Sequence, residues 1–132
     1  MARPASKYPT ELELEILKIL WDESPLAVRD VRERLEEHAG RSLSHSSVIT
    51  ILNIMHRKGF LKRRKEGKAF LFAPKAPQQE VTQHILGDLL ARLFGGRPSA
   101  MMLNLLETAE LDSDELSDIK KLLARKAKEQ QP

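Results

Sequence analysis

Apolar residues return at three- and four-residue steps along most of this chain, the spacing of one face of an α-helix, and lose that rhythm once, between residues 60 and 73. The first helical stripe is Leu12, Ile16, Ile19 and Leu20, with Glu13, Glu15, Lys18 and Asp22 elsewhere around the wheel. Thr10 and Glu13 have the spacing of a capping box at its start, and Ser24-Pro25 stops it. A second helix, from about Ala27 to His38, carries Val28, Val31 and Leu35 and runs out at Gly40. Ser44 is placed to cap a third helix reaching Lys58, with Val48, Ile51, Leu52 and Met55 on its apolar side and Gly59 past its last turn. Two short runs of apolar and basic residues then flank Lys65-Glu66-Gly67, which predicts a β-hairpin tethered to the helices by Phe60, Phe70 or Phe72. Trp21 fits as packing between the first helix and that sheet.

Helical spacing resumes after the Pro74 to Pro77 passage. Val81, Ile85, Leu89, Leu90, Leu93 and Phe94 form a stripe closed by Gly95-Gly96. Ser99 is a candidate cap for a helix bearing Met101, Met102, Leu103, Leu105 and Leu106. Asp112 with Glu115 marks a last helix start, and Leu116, Ile119, Leu122 and Leu123 line that helix before a polar tail from Ala127 to Pro132. These three helices are rich in Leu and Met but too few to enclose a core. The expected arrangement is a small domain over residues 1–75 and a helical dimerisation region over 76–132, where a second copy covers the apolar stripes. The residues assigned to that contact are Ile85, Leu89 and Leu93, then Met101, Met102, Leu105 and Leu106, then Ile119, Leu122 and Leu123. The alternative is that the same helices fold back onto their own first domain.

Charge sharpens the picture. Residues 41–75 hold nine Lys and Arg against the single acid Glu66, whereas residues 1–40 hold six basic and nine acidic side chains and residues 76–132 hold seven and nine. Positive charge gathered on one piece of a nearly balanced chain points to a polyanion. Within that piece the third helix presents Ser46, Ser47, Thr50, Asn53, Arg57 and Lys58 opposite its apolar side. Short hydroxyl and amide groups let a helix lie deep in the major groove and reach base edges. The hairpin adds Arg63, Arg64, Lys65 and Lys68, an array suited to phosphates. Three helices followed by a charged two-stranded wing make a mainly α fold with a small β-wing, a winged helix-turn-helix, and duplex DNA is the expected partner.

Other chemistries find little support. The chain has no cysteine, which removes disulfides and thiolate metal sites, and no segment approaches the ~18 apolar residues of a membrane span, so a cytoplasmic location is expected. Ser44-His45-Ser46-Ser47 is the one local candidate for a nucleophile and base, but neighbouring helix positions point in different directions. His45 and His56 are eleven residues apart, roughly 16 Å along a helix, too far to share a metal ion. No enzyme, metal or cofactor is expected. A winged helix that docks protein or RNA is the rival class.

The segments Pro9 to Leu17, Leu20-Trp21, Pro25 to Val31, Ser46 to Asn53, Arg57 to Leu61 and Glu66 to Phe70, continued by Leu93 to Gly96 and Pro98 to Ala100, resemble the penicillinase-repressor family of the BlaI/MecI/CopY type. The resemblance extends from about Pro9 to Leu123. It implies a homodimeric repressor on a palindromic operator, usually with TACA/TGTA elements. The family's frequent Thr-Thr pair falls on Ser46 and Ser47, which lack the two methyls that would meet thymine. It further implies a membrane sensor metalloprotease, or a protease downstream of it, that cuts the repressor at an Asn-Phe bond; the matching bond here is Asn104-Leu105. Copper-sensing relatives use C-terminal cysteines, and this chain has none.

Overall fold

A computed structural model describes residues 8–131; the polar N-terminal stretch 1–7 and Pro132 lie outside the described residues. The element order is α1 (Glu11–Asp22), β1 (Leu26–Ala27), α2 (Val28–Ala39), α3 (His45–Lys58), β2 (Leu61–Glu66), β3 (Ala69–Pro74), α4 (Gln78–Leu93), α5 (Pro98–Thr108) and α6 (Ser113–Glu129). The chain divides into two compact units, one ending at Leu86 and one beginning at Gly87. That division falls inside α4, beyond the prolines that the sequence marked as the boundary.

The first unit is built on local signals that work as written. Glu13 N donates to Thr10 Oγ1 (3.2 Å) while Thr10 N donates to Glu13 Oε1 (2.8 Å), a complete capping box. Gly40 and Gly59 close α2 and α3 with φ of 64° and 89°, the left-handed turn that a side chain resists. Ile16, Leu17 and Leu20 of α1 meet Val31 and Leu35 of α2 and Val48, Leu52 and Met55 of α3 in one buried cluster. Leu26, Leu61 and Phe72 close it from the sheet. Trp21 packs against this cluster, half-buried, and its indole Nε1 donates to Ala76 O (2.9 Å).

The sheet departs from expectation in two places. Leu26–Ala27 is a short strand, so that Ala27 does not open the second helix, and it pairs antiparallel with β3 through Leu26↔Phe72 and Ala27↔Leu71. The strand order is therefore β1-β3-β2. In the hairpin, Lys65 and Glu66 belong to β2 and the two-residue turn is Gly67-Lys68, with Gly67 at φ 63°. Glycine at the first turn position suits the twist of a tight hairpin.

Polar links anchor the loop that leads into α3. Arg32 Nε donates to Leu43 O (2.8 Å), and the Arg41 guanidinium grips both oxygens of Glu15 on α1. The loop between α2 and α3 is thereby tied to both preceding helices.

In the second unit α5 opens with Pro98 at its first position and Arg97 as a cap without a side-chain bond, so Ser99 does not cap it. Proline fits there because the first helical N–H has no partner to lose. Asp112 does cap α6, accepting from Glu115 N at 2.8 Å, and this bond holds its carboxyl below the usual carboxylate range. The cap is therefore in force above the unfolded-state pKa and fades as pH falls through the lower folded one. Helix α6 runs on to Glu129 and takes in the first residues of the expected polar tail. No residue of α5 or α6 is buried. Leu93 is 69 % exposed and Leu89, Met102, Leu105, Leu106, Leu122 and Leu123 are all exposed, while Met101 and Ile119 are half-buried. Ile85, expected with them, lies in the first unit and lines a small cleft with Phe60, Val81 and His84.

Candidate nucleic-acid interface

Helix α3 begins with a knot of hydroxyls. Ser44 Oγ accepts from Ser47 N (3.1 Å) and donates to Ser47 Oγ (2.8 Å), with Ser46 Oγ at 3.3 Å. Ser44 is thereby committed to capping, and its hydroxyl is not poised as a nucleophile. Thr50 Oγ1 donates back to Ser46 O (3.0 Å), so its proton is engaged within the helix and its oxygen keeps acceptor capacity. Ser46, Thr50 and Arg57 are exposed; Ser47 and Asn53 are half-buried.

The wing divides its charges by the period of a strand. Arg63 pairs across with Phe72 and Lys65 with Phe70, on the face that carries the buried Leu61 and Phe72. Arg64 pairs with Leu71 and stands on the other face, where it meets Glu66 at 3.6 Å. The expected four-cation array is therefore split: Arg63 and Lys65 share one face, Lys68 sits at the turn, and Arg64 faces away.

Arg63 reaches furthest into the site. Its Nη1 donates to Asn53 Oδ1 on α3 (2.8 Å), and its guanidinium lies 4.8 Å from the centroid of the Phe70 ring. Phe70 is 40 % exposed, so it covers no core; the cation takes up its open face. Between α3 and the hairpin runs a groove of about 420 Å³, lined by His45, Ile49 and Asn53 of α3, by Arg63, Lys68 and Phe70 of the wing, and by Arg29 of α2. Among the described residues no carboxylate lines it. A concave, acid-free wall of amide, imidazole and cations is suited to an anionic partner.

Two placements correct the sequence reading. Lys58 does not join this surface: its Nζ holds both oxygens of Glu13 at 2.9 and 3.1 Å and lies 5.9 Å from the Phe60 ring, with the side chain only 17 % exposed. Ile49, missed as part of the face, is exposed there between Ser46 and Asn53. Its three- and four-residue distances from those two neighbours were the available signal. An exposed isoleucine among polar groups offers the apolar contact that a thymine methyl requires. Arg29, shortly after β1, and His45, the first residue of α3, were also missed and line the groove.

Among the described residues there is no group of three His, Cys, Asp or Glu able to hold a metal ion, and no helix long and apolar enough to cross a membrane.

Comparison with known proteins gives a consistent result. The profile of the penicillinase repressor family matches residues 9–125. A penicillinase repressor of Bacillus licheniformis is 26% identical over 114 residues, 86% of this chain and 88% of that protein. The methicillin resistance regulatory protein MecI of Mammaliicoccus sciuri is 21% identical over 114 residues, 86% of this chain and 91% of the relative. Among solved structures, RosR of H. salinarum superposes with a TM-score of 0.51 at 18% identity, covering 89% of this chain and 93% of that one, a likeness of fold alone.

Proposed function

Since this chain belongs to the penicillinase repressor family, we propose that it is a transcriptional repressor that binds a palindromic operator in duplex DNA as a homodimer, in the cytoplasm. The observation that carries this reading is the acid-free groove between α3 and the wing, with Asn53 and Arg63 joined across it. Ser46, Ser47, Thr50, Asn53 and Arg57 follow one helix and suit a major groove; Lys65 and Lys68 continue that surface on the hairpin and suit flanking phosphates. The RNA-docking alternative needs free aromatic faces for base stacking, and Phe70 gives its face to Arg63.

The homodimer draws its support from α5 and α6, most of whose Leu and Met side chains stay exposed on a single chain. A two-fold pair would cover them and set two reading heads on two half-sites. Cleavage by a partner protease at Asn104-Leu105 would act on this region. Both residues are exposed on α5, yet Asn104 O accepts from Thr108 Oγ1 (2.8 Å) within helical backbone. Proteolysis there requires α5 to open locally first, so the inducing event has to loosen that helix.

Footprinting on the DNA upstream of the coding region tests the whole reading. A protected palindrome supports it, and binding no tighter than to sheared duplex at any salt concentration rejects it. The wing makes a separate prediction. Lys65→Ala with Lys68→Ala should weaken operator and random duplex alike, and lower the slope of log affinity against log salt by about 0.9 for each phosphate that is no longer neutralised. Measurement of that slope by fluorescence anisotropy decides it, and an unchanged slope removes the hairpin turn from the contact surface.

A further inference from the structure

We propose that Arg63 is a positioning residue that sets how Asn53 reads a base, turning the Asn53 amide so that it offers a donor to a purine N7. This inference rests on the DNA-binding reading above and deepens it. A guanidinium carries donors only, so the Asn53 atom facing Arg63 Nη1 at 2.8 Å is the amide oxygen. Among the described residues the Asn53 Nδ2 has no partner. An asparagine free to turn can present donor and acceptor in either order; this one has its oxygen engaged by the wing and its amino group left for the groove.

The arrangement is held from behind. Arg63 would not keep that geometry as a lone exposed side chain, but the Phe70 ring lies 4.8 Å from its guanidinium and limits its swing. Phe70 stands opposite Lys65 on the adjacent strand, one step along the same face, so the strand register fixes the distance between ring and cation. The chain of support runs Phe70 to Arg63 to Asn53, from wing to reading helix. A cation engaged in this way is not simply lying along a phosphate, which is the role that its charge alone assigns it.

The test is selection from a randomised duplex pool with the full-length protein and with Asn53→Ala, Arg63→Ala, Phe70→Leu and the Asn53→Ala/Arg63→Ala pair. Asn53→Ala is expected to lose roughly three- to tenfold discrimination at one base step, the magnitude of one net hydrogen bond. Arg63→Ala and Phe70→Leu should relax the same step, the double variant should be no worse than Asn53→Ala, and the salt slope of Phe70→Leu should not move. At that step a 7-deazapurine, which lacks the N7 acceptor, should weaken the unaltered protein more than it weakens Arg63→Ala, whose Asn53 is free to turn. Arg63→Ala that keeps its base preference but drops about 0.9 of salt slope would make Arg63 a phosphate ligand and overturn the proposal. Relaxation at different steps, or an unaltered protein insensitive to 7-deazapurine, would overturn it equally. If the unaltered protein enriches no sequence at all, the repressor reading itself falls and this one with it.

Discussion

Lys58→Met is expected to cost the fold about 3 kcal/mol, the low end of what breaking a buried ion pair costs, because it strands the Glu13 carboxylate. Glu13 is 4 % exposed, so the carboxylate depends on protein partners rather than water. Among the described residues it has two, the Thr10 N–H and the Lys58 ammonium. The Thr10 bond survives the substitution, which keeps the loss at the low end of the range. For a unit of this size the melting temperature should fall by about 15 °C, read by circular dichroism on heating. Glu13→Gln/Lys58→Met should recover most of that loss, since glutamine retains the capping box and no buried charge remains. A Lys58→Met melting within about 2 °C of the unaltered protein would show that the pair contributes nothing. The same variant should leave the salt slope of DNA binding unchanged, because its ammonium is turned toward α1.

That pair also marks where sequence reading stops. Thr10, Ser44, Gly40 and Gly59 could be read because a cap or a left-handed turn is decided within four residues. Glu13 and Lys58 each look like ordinary polar positions of an amphipathic helix, and what makes them a pair around a buried carboxylate is a partner 45 residues away. Leu26–Ala27 is invisible for a related reason: two residues carry no period, and they are a strand only because β3 arrives beside them. The split between Arg63 and Arg64 was legible in principle. Once β2 is a strand, adjacent cations must face opposite ways, and treating the basic run as one array ignored that alternation. Which of the two reaches Asn53 was not legible, because it depends on how the hairpin leans against α3. Helix α3 itself was recovered closely, since Val48, Leu52 and Met55 are all buried, as their spacing predicts.

Ending the chain after Leu86 is expected to give a folded monomer that binds the full palindrome about 10²- to 10⁴-fold more weakly than the intact protein. The first unit holds together without the second: its buried cluster runs from Ile16 to Phe72, and Ala76, which receives the Trp21 bond, is retained. A cut at the Pro74 to Pro77 passage would forfeit that bond, which is why the later end is the better experiment. The truncation removes α5, α6 and the end of α4, where Leu89, Leu93, Met102, Leu105 and Leu122 lie open to solvent on one chain. Their burial in a second copy would join two reading heads, so that once one binds its half-site the other acts at millimolar effective concentration. Severing the join returns each head to its own intrinsic affinity. A half-site duplex should therefore bind the truncated and intact chains to similar extents, while the palindrome separates them. Sedimentation at micromolar concentration checks the assembly, and a truncated chain that still sediments as a dimer would place the interface in the first unit. Cleavage at Asn104-Leu105 detaches α6 and the end of α5, so a chain stopped at Asn104 should share most of this loss; if it keeps full affinity for the palindrome, proteolysis at that bond cannot be the release step.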